Sequence, residues 1–276
     1  MIVAKRIFDI TFSFIGLVVF SPILFVFMIL IFIQDGYSPI YRAQRIGKNE
    51  RAFRMLKLRS MVADADKVGI DTVSLKDERV TKIGHVIRKY KIDELLQLWN
   101  VFKGDMSFVG PRPNVSTETE LYTQVEKGLL LVRPGITDFA SIIFSDLGMI
   151  VSDSSDVNLS YNQLVRPWKS KLGLIYIEKM CFTLDIKIIF LTIISFFSRS
   201  FALQQINKIL ESLDVSKEII KISMRQDKLV PTPPPGPGCR RCWRACLAAI
   251  GTGRPRAGRA RAVRCSARWP RAAGPV

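Results

Sequence analysis

Residues Arg79–Pro113 read RVTKIGHVIRKYKIDELLQLWNVFKGDMSFVGPRP. Ile92, Leu95, Leu96, Trp99 and Phe102 recur at three- and four-residue spacing, which predicts an amphipathic helix. Gly104 is placed to close it, because a glycine enters the left-handed region at little cost. Asp93 and Glu94 then fall in its first turn, where acids commonly cap free N–H groups and suit the helix dipole. Their neighbours allow a second reading. Arg88 lies five residues before the pair, and Gly110-Pro111-Arg112-Pro113 follows the helix. Cations converging on two carboxylates form a site for a phosphorylated substrate with Mg²⁺ bridging to it.

Upstream, Phe53–Met61 (FRMLKLRSM) alternates Lys57 and Arg59 with apolar residues, as a half-buried strand does, and Ser38–Tyr41 reads as a short extended segment. Ala63–Lys76 is a polar loop. No Walker-type or GxGxxG loop is present, which disfavours ordinary nucleotide-hydrolysing and dinucleotide folds. The single histidine, His85, has no Ser or Cys partner in an obvious catalytic arrangement and reads as structural.

Further out, Ile10–Gln34 carries no charged side chain over 25 residues, more than the roughly 20 that a membrane-spanning helix needs. Ser21-Pro22 sits at its middle, where proline removes a backbone hydrogen bond. Cations flank both ends: Lys5 and Arg6 before it, and Arg42, Arg45, Lys48, Arg51, Arg54, Lys57 and Arg59 after it. A kinked span and a helix that bends at Ser21-Pro22 and returns to the same leaflet both fit these features. Met180–Phe197 is a second apolar stretch, interrupted by Asp185 and Lys187, which suits an interfacial helix or a buried core helix.

The chain has 276 residues and a formal net charge of +17. Ten of those charges are arginines in residues 229–276, which contain no Asp, Glu or Lys; the rest of the chain carries +7. Four of the five cysteines (Cys239, Cys242, Cys246 and Cys265) fall in the same segment. A zinc site or a nucleic-acid arm is the sharper reading of this tail. Its Arg/Ala/Gly/Pro alphabet, foreign to the Ile/Lys/Asn/Phe-rich body, reads instead as an appended, disordered and artefactual extension.

The run Arg79–Pro113 closely resembles the signature of the bacterial sugar transferases, the monotopic polyprenyl-phosphate phosphoglycosyl transferases. Ser38–Gly47 (SPIYRAQRIG), Phe53–Met61, Val132–Ser141 (VRPGITDFAS) and Tyr176–Ile189 are similar to further family motifs, in order over about residues 1–200. The resemblance implies a mostly α-helical α/β membrane-associated domain of small strand content. Residues 1–37 would be a re-entrant helix broken at Ser21-Pro22, 38–200 a catalytic domain with interfacial amphipathic helices, 201–228 a helical extension and 229–276 the tail. It also implies phospho-sugar transfer from a UDP-sugar to polyprenyl (undecaprenyl) phosphate with release of UMP, the first membrane step of polysaccharide or glycoconjugate synthesis. Asp93 would be the nucleophile, forming a covalent phospho-sugar enzyme, and Glu94 would help Asp93 hold Mg²⁺ or handle a proton. Arg88, Pro111 and Arg112 would lie at the transferred phosphate, with Lys57 and Arg59 beside the site.

The implied setting is the cytoplasmic face of a bacterial inner membrane, with anionic lipid as a partner, no nucleic acid, and a homodimer allowed. An inactive membrane scaffold and a basic membrane- or nucleic-acid-binding protein are the rival readings. Three positions depart from the family pattern: Leu96 for a proline, Thr137-Asp138 for Thr-Gly, and Gly173 for a carboxylate. The region between Val132 and Tyr176 is the expected place for sugar preference.

Overall fold

A proline in mid-helix leaves the carbonyl four residues earlier without a donor. In the computed structural model, which describes residues 2–65, 77–151 and 157–236, Ser21 Oγ donates to that carbonyl, Val18 O, at 2.8 Å. With this repair α1 runs as one helix from Ile2 to Asp35 with Pro22 inside it. At about 1.5 Å per residue it is about 50 Å long. It is long and apolar enough to cross a membrane, yet most of its side chains are exposed.

Both ends of α1 are tied to the same body. Near the start, Lys5 Nζ donates to Asp185 Oδ2 at 2.7 Å, Tyr176 Oη at 2.9 Å and Val109 O at 2.9 Å. Arg6 donates to Val101 O and Phe102 O, both at 2.7 Å, and buried Asp9 accepts from Phe108 N and Ser107 Oγ. At the far end Arg59 forks onto Asp35 at 2.5 and 2.6 Å. Between these anchors, Leu24 and Ile31 pack with Leu58, Ile87, Ile92 and Leu96 in a buried cluster. Leu96, the residue that stands where the family has proline, therefore seats the membrane helix.

Strands β1 (Ile40–Ile46) and β2 (Ala52–Leu58) form an antiparallel hairpin with Tyr41 opposite Lys57. Helix α2 (Lys82–Lys89) follows, capped by Thr81, whose hydroxyl accepts from Gly84 N at 2.9 Å. Gly84 lies so close to the end of β2 that a Cβ there would stand 1.9 Å from Ser60 O. Helix α3 (Gln97–Lys103) ends at Gly104, which has φ +101° as the periodicity anticipates. Its buried Asn100 accepts from Leu56 N and donates to Arg54 O, so α3 reads the backbone of β2 directly.

Strands β3 (Ser107–Val109) and β4 (Gly135–Thr137) pair in parallel. Short helices α4 (Ser116–Thr119), α5 (Phe139–Ile143), α6 (Leu147–Ile150) and α7 (Val157–Ser160) fill the stretch before a π turn at Tyr161–Val165. Longer helices α8 (Arg166–Lys179), α9 (Phe182–Phe197), α10 (Arg199–Ser212) and α11 (Lys217–Ser223) close the body.

The largest core runs from Val109 through Phe139, Trp168, Tyr176 and Ile188 to Leu210 and Ile219, so the helices beyond residue 200 share a core with the central region. Helix α9 has two faces: Leu184, Asp185, Ile188 and Leu191 face this core, as the buried-helix alternative expects, while Phe182, Ile186, Phe190, Ile193 and Phe197 are exposed. Asp185, one of the charges that interrupts the stretch, is the buried partner of Lys5. The architecture is mostly helical with few strands, as expected. Cys239, Cys242, Cys246 and Cys265, and most of the polar loop Ala63–Lys76, lie outside the described residues.

Gly110 and Gly135 cross back to back beside β3 and β4. A Cβ on Gly135 would stand 2.1 Å from Gly110 N, and the backbone bonds Gly110 N to Thr137 O and Gly135 N to Pro111 O are each 3.0 Å. Gly135→Ala forces backbone against backbone and is expected to cost about 3 kcal/mol. Gly173→Ala meets only the flexible end of Leu129, so thermal melts should show a large loss for the first substitution and a small one for the second.

Candidate active site

A carboxylate near a helix start has two ordinary fates, capping the backbone or pairing with a cation. Neither carboxylate of the Asp93-Glu94 pair caps a helix. Lys91 takes a left-handed conformation at φ 57°, and Ile92–Glu94 forms a 3₁₀ turn with no side-chain cap. Helix α3 starts only at Gln97, again without a side-chain cap. The continuous helix expected from Ile92 is therefore broken after Glu94. Ile92 and Leu96 both still pack in the cluster under α1.

Glu94 pairs with Arg112. Its Oε2 accepts from Arg112 Nη1 at 3.2 Å and its Oε1 from Nη2, while Lys57 Nζ lies 3.6 Å from Oε1. Burial opposes the charge on Glu94, but Arg112 and Lys57 outweigh it and hold the carboxyl well below the usual range. Arg112 also donates to Ile136 O at 3.2 Å, and Glu94 pushes its pKa further up. Arg88, on α2, donates from Nε to Ser60 Oγ at 2.8 Å.

Asp93 is different. It is 8% exposed, and its Oδ1 is buried with no hydrogen-bond partner. Desolvation raises its pKa, with Glu94 adding to the effect and Lys57, Lys91 and Arg88 opposing it. A buried carboxylate kept reactive by surrounding cations, yet bonded to none of them, is poised to act on something else. One turn on, the side-chain amide of buried Gln97 also lacks partners at both its oxygen and its nitrogen.

These residues line a cleft of about 580 Å³. Asp93, Glu94, Lys57, Arg88 and Arg112, all singled out from sequence, meet there. Pro111 lines a smaller adjoining chamber and packs near Gly173. Arg59 does not line this cleft, and its guanidinium binds Asp35 and the carbonyls of Tyr37 and Ser38, but it lines a second cavity of about 570 Å³ together with Lys57, Arg88 and Asp93.

Sequence reading missed Lys91 and Lys169, which add charge to the cleft. Lys169 lies 5.1 Å from the centre of the Tyr161 ring, and burial together with Arg112 lowers its pKa to about 8. No local pattern marks it, since it sits on α8, 75 residues or more from the pair it faces. Asp138, the residue in place of the family glycine, caps α5 by accepting from Ser141 N at 2.7 Å. His85 also lines the cleft. Among the described residues no cluster of three or more His, Cys, Asp or Glu side chains forms a metal site.

A cleft rich in cations around one unbonded carboxylate, beside an exposed apolar helix, is suited to an anionic ligand. Comparison with known proteins identifies the family: the family model for bacterial sugar transferases matches residues 1–199. The chain belongs to the bacterial sugar transferase family. It is 48% identical over 118 residues to a Bacillus subtilis (strain 168) protein whose provisional name is that of an undecaprenyl-phosphate N-acetylgalactosaminyl 1-phosphate transferase, covering 43% of this chain and 66% of that one. Galactosyl transferase CpsE of Streptococcus agalactiae serotype III (strain NEM316) is 37% identical over 203 residues, 70% of this chain and 42% of its own. The undecaprenyl-phosphate galactose phosphotransferase of Salmonella typhimurium (strain LT2) is 39% identical over 148 residues, 48% of this chain and 31% of its own. The chain thus matches less than two thirds of the length of each.

The two carboxylates are expected to affect stability with opposite sign. The folded state binds a proton on Asp93 more tightly than the unfolded chain does, so its ionisation costs stability as pH rises through the interval between the two pKa values. For Glu94 the order is reversed, and its contribution is present at neutral pH and lost on acidification. At pH 7, Asp93→Asn should leave the melting temperature unchanged or raise it. Glu94→Gln, which strands Arg112 and Lys57, should cost about 2 kcal/mol; melts of the two purified variants check both signs.

Proposed function

We propose that this chain transfers a sugar phosphate from a UDP-sugar to polyprenyl phosphate, releasing UMP. The observation that carries the proposal is the buried, unbonded Oδ1 of Asp93 within a ring of Lys57, Arg88, Lys91 and Arg112. Names of relatives point the same way, since they include undecaprenyl-phosphate phosphotransferases.

In the first step the Asp93 carboxylate attacks the sugar-bearing phosphorus, and the bond to the bridging oxygen breaks so that UMP leaves with the electron pair. A phosphate oxygen of the polyprenyl phosphate then attacks the same phosphorus and returns Asp93 as a carboxylate. Arg112 and Lys57, held by Glu94, neutralise charge that develops on the phosphoryl oxygens. Mg²⁺ fits as a partner of Asp93, because it binds through one or two carboxylates and completes its shell with substrate phosphates and water. It would add charge stabilisation at the diphosphate. Glu94, already saturated by cations, orients Arg112.

The lipid substrate favours a membrane setting. Fastening α1 at Lys5 and at Asp35 to one body supports a helix whose two ends stay on the same side of the bilayer. The exposed stripes of α1 and α9 supply the apolar face, and Phe8 and Phe182 touch edge-on where they meet. Substrates supplied from inside the cell favour the cytoplasmic face of the bacterial inner membrane as the setting of the catalytic body.

Full-length protein in lipid nanodiscs, given UDP-galactose or UDP-N-acetylgalactosamine with undecaprenyl phosphate and Mg²⁺, should release UMP. It should also retain labelled sugar phosphate on Asp93 when the lipid is withheld. Asp93→Asn should abolish both signals, and turnover preserved in that variant would overturn the nucleophile. Because Asp93 must be ionised and its pKa is raised, the acidic limb of the pH–rate profile should lie above the ordinary carboxylate range. Lys57→Met removes a cation that lowers that pKa and should move the limb higher still.

A further inference from the structure

Beyond Arg112 the cleft continues into a chamber of about 210 Å³ that Asp93 does not line. The two spaces share Lys91, Glu94, Arg112 and Lys169. A phosphate held by these cations would stand at the chamber's mouth, and whatever that phosphate carries could lie inside.

The inner walls are of another kind. Ser141 and Asp138 line them and Phe144 adds an aromatic surface, while Ser145 and Tyr161, which also line the cleft, stand where the two spaces join. Asp138 is 3% exposed. Its Oδ1 accepts from Ser141 N at 2.7 Å and from Ser141 Oγ at 2.6 Å, while its Oδ2 accepts no hydrogen bond among the described residues. An open oxygen on a buried residue that lines a small chamber can accept a donor from a ligand. Sugar hydroxyls donate to acids and accept from other hydroxyls, and the C–H faces of a pyranose pack on aromatic rings. A nucleobase would instead need amide-like partners in one plane. The amide here, Asn114, already donates to Tyr122 Oη at 2.8 Å.

We infer that this chamber receives the sugar ring of the nucleotide sugar, and that Asp138 selects the sugar by accepting a hydrogen bond from one ring hydroxyl. The inference rests on the phospho-sugar transfer proposed above and makes Asp138 a specificity-determining residue. Asp138 does not line the cleft around Asp93, so it acts on the choice of substrate at a distance from the bond that breaks.

A cycle of protein and substrate changes tests it. Full-length enzyme in nanodiscs is assayed for UMP release with UDP-galactose, UDP-N-acetylgalactosamine and their monodeoxy derivatives. In the unsubstituted enzyme, removal of one particular hydroxyl should lower kcat/KM about 10- to 100-fold, as expected for a hydrogen bond to a charged group. Asp138→Ser keeps a side chain suited to capping α5 but has no carboxylate. In that variant the loss at this one ring position should vanish, while losses at other positions persist. Asp138→Asn should reduce the same loss without changing the others. Each comparison is a ratio within one protein, so a lower folded fraction does not alter it. Identical ratios in all three proteins overturn the sugar assignment while leaving transfer intact. Absence of UMP release from the unsubstituted enzyme with every sugar removes the transfer reaction itself, and this inference with it.

Discussion

A buried carboxylate that makes no hydrogen bond costs free energy, and the centre of this protein is arranged around keeping one charged. Asp93 is tolerated because cations from four separate elements surround it. Lys57 comes from β2, Arg88 from α2, Lys91 from the left-handed turn, and Arg112 from the segment after β3. Those cations would repel one another if left alone. Glu94, the next residue, takes up Arg112 and Lys57 and so holds the ring together without binding Asp93. Adjacent carboxylates thus differ, one paired with cations and the other left bare at a cost, as the proposed nucleophile would be.

The same centre explains how the apolar N-terminal helix is attached. Leu24 and Ile31 pack on Ile87, Ile92 and Leu96, which flank the catalytic turn. Movement of α1 would therefore disturb the backbone that carries Asp93. Lys5, reaching Asp185 on α9 and Tyr176 on α8, ties the two exposed apolar surfaces to one frame. In the proposed transfer a soluble nucleotide sugar and a lipid phosphate must meet in one plane, which this coupling would serve.

Much of this was legible in the sequence. The apolar run, the amphipathic segment before Gly104, the strand around Lys57 and the grouping of Asp93, Glu94, Arg88 and Arg112 all follow from residue type and short-range spacing. The Gly-Pro-Arg-Pro and Arg-Pro-Gly motifs acquire a reason in the crossing of Gly110 and Gly135, where nothing larger than hydrogen fits. Arg59 reads as a neighbour of the site because it follows Lys57 by two residues. It does share a cavity with Lys57, Arg88 and Asp93, but what its guanidinium binds, Asp35, lies 24 residues earlier and was not legible.

Sequence alone determined which chemistry was present: an apolar helix, though with a break expected at Ser21-Pro22 that the structure does not show, a carboxylate pair and the cations able to serve it. Periodicity and composition are local properties, and local rules suffice to read them. Tertiary structure decided which carboxylate was bonded and which left bare, that Lys169 lines the cleft and Asp138 the adjoining chamber, and that both ends of α1 rest on one body. Each of these depends on contacts between residues far apart in the chain, and burial, which sets the energy of a charge, exists only once those contacts have formed.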